Sequence, residues 1–266
     1  MPELPEVETV RRELEERVSG RKIEKIIVNA SRLLRGISEK SFISQVTGTS
    51  ITGVKRAGKL LIIELSCGKA ITVHLKMTGQ LVYPGDGKAS RVRFLLSGGG
   101  YLDFNDRRLF AEIGLTDDWR RIDFVESLGP EPFDVSPAVF HAMLAGRKTK
   151  IKPLLLDQTF MAGIGNLYAA ESLFRAGIHP AREARSLSAQ ESGLLLAAIS
   201  KTLKEAIRHN GSSLDQYVRP SGEKGDFVRF HKVYAKEGRI CGRCGGTIKR
   251  ISLGGRGTYF CPGCQK

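Results

Sequence analysis

Two short knuckles near the end of the chain, Cys241-x-x-Cys244 and Cys261-x-x-Cys264, restrict what it can fold into more than any other feature. The sixteen residues between them match the spacing of a four-cysteine zinc ribbon. In that arrangement each tight turn offers two thiolates to one metal, and the intervening chain folds as a hairpin. Four ligands fill a tetrahedral shell and leave no position for a water, so one structural Zn2+ per chain is expected. A segment this small lacks a core, and the metal supplies much of its folding energy. Two disulfides, or free thiols, are the competing reading. Disulfides fit a reducing compartment poorly, and free thiols leave the paired spacing without a purpose. The acidic start Met-Pro-Glu-Leu-Pro-Glu-Val-Glu is no secretory signal, and no run approaches the roughly 18 apolar residues that span a bilayer. A cytoplasmic protein with no membrane role is therefore expected.

Charge narrows the partner. Lys and Arg number 42 against 28 Asp and Glu, a formal +14. Half of that excess lies in 215–266, where eleven basic residues face four acidic ones. Such a field attracts polyanions, of which nucleic acid is the commonest. Inside the ribbon, Gly254, Gly255 and Gly257 suit a tight turn with Arg256 at its tip, where a guanidinium can fork onto a phosphate. An arginine between glycines can equally be only solvated. Ribbon and charge together indicate nucleic-acid binding and say nothing of catalysis.

The rest of the chain reads as an α+β multidomain protein. Val7, Val10, Leu14 and Val18 recur at helical steps, and Gly20 supplies a stop. Short Ile/Val/Leu-rich runs at 22–28, 50–56, 60–65, 70–75, 91–96 and 101–104, punctuated by glycines, predict a β-sandwich or barrel. Leu128-Gly-Pro-Glu-Pro is a break and candidate linker. Ser188-Ala-Gln-Glu191 predicts a capping box for a helix reaching Asn210-Gly211, with Leu194, Ala198, Ile199, Leu203 and Ile207 on its buried face. Residues 211–225, poor in apolar side chains, read as a mobile loop.

Two features suggest chemistry. Gly163-Ile-Gly165-Asn166 predicts a sharp turn with Asn166 as N-cap of a helix ending before Gly177, a phosphate seat or a plain packing turn. Pro2 follows Met1, and removal of Met1 would expose a secondary amine. An α-amino group titrates near pH 7.7–8.0, so a useful fraction is neutral and can attack an electrophilic sugar carbon. Glu3 could move protons beside it. Pro2 could also simply start the helix.

Six motifs, in order along the whole chain, resemble the formamidopyrimidine-DNA glycosylase family. They are Met-Pro-Glu-Leu-Pro-Glu-Val-Glu-Thr, His74-Leu-Lys-Met77-Thr-Gly79, Asn105-Asp-Arg-Arg108-Leu-Phe110, Leu128-Gly-Pro-Glu-Pro132, Gly163–Glu171 and the ribbon. The resemblance implies an N-terminal β-sandwich with an N-terminal helix over 1–130, a helix–two-turn–helix domain with a lesion-capping loop over 131–225, and a zinc ribbon over 232–266, with DNA in the cleft between them. It implies a bifunctional glycosylase and AP lyase of base excision repair that flips oxidised purines (8-oxoguanine, formamidopyrimidines) out of double-stranded DNA. Schiff-base chemistry and β,δ-elimination follow. Pro2 resembles the nucleophile at C1′, Glu3 the general acid/base, Lys59 the lysine of β-elimination and Arg256 the residue of δ-elimination and phosphate clamping. His74 and Asn166 resemble phosphate ligands, Lys148 and Lys152 basic positions near the DNA, and Met77, Arg108 and Phe110 the trio that replaces the extruded base. On residue type alone, Met77 and Phe110 would be counted as core. A monomer with no obligate protein partner, associated with the bacterial nucleoid, is the corresponding expectation.

The chain departs from the family pattern in places. Ala89-Ser-Arg91-Val92 stands where His-x-His-Val is usual, so Arg91 is expected to contact phosphate in another way. Ala111 replaces a glycine, Ser212-Ser213 a threonine pair, and 227–232 is atypical. An endonuclease VIII-like glycosylase for oxidised pyrimidines is the nearest enzymatic alternative, but Leu4-Pro5 favours the purine branch. A non-catalytic zinc-ribbon DNA-binding protein is the alternative of a different class.

Overall fold

Leu4, Val7, Val10, Leu14 and Val18 share one stripe and are all buried, which fixes helix α1 (Leu4–Val18) against the sheets that follow. A computed structural model describes residues 1–266. After α1 come strand β1 (Ile23–Val28), the short β2 (Leu34–Arg35), helix α2 (Glu39–Val46), then strands β3 (Ile51–Ala57), β4 (Leu60–Leu65), β5 (Ala70–His74), β6 (Gly79–Val82), β7 (Ser90–Leu96), β8 (Tyr101–Asp106) and β9 (Glu112–Thr116). Helices α3 (Asp123–Glu126), α4 (Pro137–Leu144), α5 (Ile151–Leu156), α6 (Asn166–Ala176) and α7 (Ala189–Arg208) follow. The hairpin β10 (Lys249–Leu253) and β11 (Arg256–Phe260) closes the chain.

Two sheets form the expected sandwich, in the orders β1-β7-β8-β6 and β2-β9-β5-β4-β3, antiparallel except for the β2–β9 pair. Both contribute to one core with α1 and α2, including Phe94, Phe104, Leu61, Ile63, Ile71 and Val73. Strand β4 is apolar on both faces, unusual for an antiparallel sheet, where one face is commonly solvated. The reason is tertiary. Leu61 and Ile63 point into the sandwich, while Leu60 and Ile62 are covered by Trp119, Ile122, Phe124 and Val125.

The chain divides into two compact units. The first comprises Met1–Glu126 with Ile207–Val228, the second Ser127–Ala206 with Arg229–Lys266. Residues 211–225 thus pack with the sandwich, and the loop expected to be mobile is tied down: Tyr217 is buried, Arg219 pairs with Glu13 at 2.5 Å, and the Tyr83 amide donates to the Pro220 carbonyl at 2.8 Å.

Two details of the helices differ from expectation. The capping box of α7 forms as read, with the Ser188 amide donating to Glu191 and the Glu191 amide to the Ser188 hydroxyl. Its buried stripe, however, runs through Ser192, Leu195, Ile199 and Leu203, and Leu194 is 55% exposed. Ser192 enters that stripe because its hydroxyl is satisfied by the Ser188 carbonyl and by His141 Nδ1. In α6 the N-cap is Gly165, and Asn166 is the first helical residue. Gly177, at φ +75°, closes that helix as expected.

Candidate functional site

In the first unit the N-terminus is built around Glu3 and Glu6. Pro2 and Glu3 are buried and Met1 is 59% exposed. The Glu3 amide donates to Glu6 Oε2 at 2.8 Å, the reciprocal half of a capping box. The other oxygen, Oε1, accepts the Ser212 amide at 2.8 Å. One carboxylate therefore joins the start of α1 to the 211–225 loop. Gly211 is required there, since at φ +78° a Cβ would stand 2.9 Å from Glu6 Oε1. Sequence reasoning passed over Glu6, although its place three residues after Glu3 was a readable capping signal.

Lys59 is buried in the two-residue turn between β3 and β4, after Gly58 at φ +55°. Arg56 holds that turn, its Nη1 donating to the Gly58 carbonyl at 3.0 Å while its Nε pairs with Glu8 of α1 at 3.1 Å. Glu8 also takes Arg11 and Arg12. Burial pushes its pKa up, but these guanidiniums outweigh it and bring it down to about 2. Across the β4–β5 ladder, His74 lies opposite Leu60, next to Lys59. Burial, then the neighbouring Lys76, brings its pKa down to about 4. Its Nδ1 accepts the Lys76 amide at 3.1 Å, which leaves the proton of the neutral ring on Nε2 as a donor. Phe124 packs edge-on against it at 5.7 Å.

Met77, Arg108 and Phe110 come together, and they are not core. Met77 is 45% and Phe110 49% exposed. Arg108 sits over the Phe110 ring at 4.7 Å and donates from Nη1 to Met77 Sδ at 3.2 Å. Exposed apolar side chains gathered at one point mark a contact surface. Arg91, on β7, turns its Nε to the Asp106 carbonyl at 3.1 Å and so braces this loop, leaving only its outer nitrogens for a phosphate.

In the second unit, Lys148 is exposed in the 145–150 loop, as a phosphate contact requires. Lys152 is the correction. It is 1% exposed, and its ammonium donates to Asn166 Oδ1 at 2.6 Å, Thr258 Oγ1 at 2.8 Å and the Gly257 carbonyl at 3.2 Å. Three donors meet three acceptors, so no proton remains for a phosphate. Lys152 instead fastens the start of α6 to the β10–β11 hairpin. Asn166 adds a bond from Nδ2 to the Gly257 carbonyl at 3.2 Å. At the tip, Gly254 and Gly255 at φ +59° and +70° form the two-residue turn, and Arg256 is exposed at the start of β11. Gly257 belongs to the strand, not to the turn expected from the sequence.

Glu171 is a second residue that sequence reasoning did not single out. Buried on α6, it accepts the amides of Lys232, Val233 and Tyr234 at 2.8, 3.0 and 2.8 Å. Burial pushes its pKa up against the pull of those three amides. It anchors the chain leading into the ribbon. No local pattern signals a partner more than sixty residues away.

The donor atoms of Cys241, Cys244, Cys261 and Cys264 lie within 4.8 Å of one another, with Cys241–Cys264 at 3.8 Å and Cys244–Cys261 at 3.4 Å. Tetrahedral Zn–S bonds of about 2.3 Å place sulfurs about 3.8 Å apart, so this is a zinc-binding site by its dimensions. A Cβ on Gly263 would stand 3.1 Å from Cys244 Sγ, which keeps that position small.

Comparison with known proteins agrees with this architecture. Residues 1–113 match the formamidopyrimidine-DNA glycosylase N-terminal domain, 128–218 the H2TH domain of the same enzymes, and 241–266 the zinc finger found in FPG and IleRS. A formamidopyrimidine-DNA glycosylase of Desulfitobacterium hafniense is 43% identical, over 100% of both chains. Among solved structures, a Lactococcus lactis FPG mutant in complex with Fapy-dG-containing DNA is similar at TM-score 0.93 and 36% identity, covering 100% of each chain. The wild-type Lactococcus lactis enzyme with DNA containing an oxidised pyrimidine is similar at TM-score 0.92 and 37% identity, again over 100% of each.

Proposed function

Because the chain belongs to the formamidopyrimidine-DNA glycosylase family, we propose that its residues carry out lesion eversion and strand cleavage in the following way. The protein is a base excision repair DNA glycosylase and AP lyase for oxidised purines, acting on damaged duplex DNA, and its four cysteines hold zinc. The observation that carries the residue assignment is the exposed Met77–Arg108–Phe110 cluster, held on the same unit as buried Pro2, Glu3 and Lys59.

Met77 and Phe110 enter the stack where the lesion leaves, and Arg108 pairs with the orphaned cytosine. With Met1 removed, the Pro2 nitrogen bonds to C1′ of the everted nucleotide as the glycosidic bond breaks and the base departs with its electron pair. Glu3 supplies and removes protons at the sugar. The C1′–O4′ bond then opens, O4′ keeping its electron pair and taking a proton from Glu3, and the iminium left between Pro2 and C1′ acidifies C2′. Lys59 takes part in loss of the 3′ phosphate, and Arg256 in loss of the 5′ phosphate. His74 donates its Nε2 proton to a phosphate as a neutral group, while Lys148 and the outer nitrogens of Arg91 add charge. Asn166 works beside the hairpin that carries Arg256, because Lys152 ties Asn166 to Gly257 and Thr258 of that hairpin. Zinc, when bound, cross-links the ribbon and keeps that hairpin in shape. The parts 1–130, 131–225 and 232–266 are the working divisions, with the 211–225 loop of the second packed in one unit with the sandwich, and the setting is the bacterial cytoplasm, at the nucleoid.

The test is borohydride trapping on duplexes carrying 8-oxoguanine opposite cytosine. A processed, zinc-loaded protein forms a covalent adduct, and Pro2→Gly abolishes it while keeping DNA affinity. Absence of any adduct from the wild-type protein overturns the nucleophile assignment. A thymine glycol duplex in parallel ranks purine against pyrimidine lesions, a comparison motivated by the oxidised-pyrimidine complex of the Lactococcus lactis relative.

A further inference from the structure

Three side chains that replace one extruded base arise from two loops, the turn after β5 and the turn after β8. Insertion as a unit needs something that holds the loops in register. We infer that Thr78 and Asp106 are that clamp: positioning residues that present Met77, Arg108 and Phe110 together and so set the efficiency of base eversion. The inference rests on the eversion role given to the trio above and extends it to residues that touch no base.

Asp106 is 1% exposed and Thr78 is buried. The Thr78 hydroxyl donates to Asp106 Oδ1 and accepts the Arg108 amide at 3.2 Å. Asp106 Oδ1 shares that amide at 3.1 Å, and Oδ2 accepts the Ala111 amide at 2.8 Å. A single carboxylate thus caps both ends of the Arg108–Phe110 loop, and a single hydroxyl, adjacent in sequence to Met77, links it to the other loop. The loop itself is kinked through Leu109 at φ +55°, a conformation a non-glycine residue holds only when its surroundings over-determine it. Arg32 adds a bond to the Leu109 carbonyl at 3.3 Å and Arg91 one to the Asp106 carbonyl. On the other loop, Gly79 lies opposite Asp106 in the β6–β8 ladder, with no room for a Cβ beside the Leu75 carbonyl, 2.6 Å away. Met77 therefore cannot shift along the strand independently of Arg108. Pre-organisation of this kind acts where the wedge enters the duplex and has no bearing on chemistry at an already exposed sugar.

The experiment compares two substrates in single-turnover kinetics with the full-length, zinc-loaded protein. One duplex carries 8-oxoguanine opposite cytosine and requires eversion. The other carries a preformed abasic site and reports the lyase steps. Thr78→Val keeps the shape and removes the hydroxyl. It should lower 8-oxoguanine excision by at least tenfold while changing abasic-site cleavage by less than about twofold, the scale of one charge-assisted hydrogen bond. Thr78→Ser should restore excision to within about twofold of wild type. In the same series, 2-aminopurine beside the lesion reads wedge insertion directly, and its fluorescence change should be lost in Thr78→Val and kept in Thr78→Ser.

Several results overturn the clamp. They are unchanged excision by Thr78→Val, equal loss on both substrates, or a serine variant as defective as the valine one. Asp106→Asn, which keeps the side-chain shape but sets an NH2 donor against a backbone amide donor, should lower excision at least as far as Thr78→Val; wild-type excision by this variant also refutes the clamp. A wild-type protein that processes neither duplex defeats the functional reading, and the clamp with it. By contrast, wild-type turnover of both with no selective effect of Thr78→Val defeats the clamp alone.

Discussion

Replacing Lys152 by Met separates a lysine that touches DNA from one that holds the residues that do. The change keeps the length of the side chain and removes an ammonium that makes three bonds in a fully buried place. Bonds from a charged donor are worth about 1.5–3 kcal/mol each, and the returned desolvation of the ammonium offsets a large part of that sum. The expected loss is about 2–4 kcal/mol of stability, read as a lower denaturation midpoint. Asn166, the Gly257 carbonyl and the Thr258 hydroxyl lose their common ammonium tether, so affinity for duplex DNA should fall about tenfold at one salt concentration, about 1.4 kcal/mol. The decisive quantity is the salt dependence. Each phosphate that the protein ceases to neutralise lowers the slope of log affinity against log salt by about 0.9, so a buried lysine should leave that slope unchanged. Exposed Lys148→Met should lower it by about 0.9 with an unaltered midpoint. If Lys152→Met lowered the slope like Lys148→Met and melted like wild type, the ammonium would be a phosphate ligand and the tether argument would be wrong.

Two further outcomes follow from the geometry. Cys244→Ser should lose stoichiometric zinc and most DNA affinity, with the sandwich intact by circular dichroism; metal content and binding at wild-type levels would contradict a structural ribbon. Burial, with Lys236 second, holds His231 at about 4, below its ordinary 6.5. The unfolded chain then binds the extra proton first, so stability present above pH 6.5 is lost as pH falls toward 4. Between pH 7 and 5 the loss is about 2 kcal/mol from this residue, and His231→Leu should flatten the pH dependence of urea unfolding by that amount.

Legibility followed the range of the interactions. The zinc knuckles, the α7 capping box, the Gly177 cap and the Gly254-Gly255 turn were readable because their partners lie a few residues apart. Helix α2 was missed although Ser38 caps it through the Ser41 amide, a signal as local as the one at Ser188. Strand β9 was hidden by Gly114, which is there because a Cβ would stand 2.7 Å from Thr72 Oγ1 on the neighbouring strand. The exposure of Met77 and Phe110 came from family resemblance. Their residue types alone point the other way.

Sequence by itself determined the metal, the polyanionic partner, the sandwich and the nucleophile candidate, since spacing, charge and periodicity are properties of the chain before it folds. Tertiary structure decided which polar groups face solvent. It turned Lys152 inward to Asn166 and Thr258, drew Glu6 to Ser212, and set Asp106 between two loops. These buried bonds join partners tens to hundreds of residues apart, and their meeting is fixed only when the chain takes its tertiary fold.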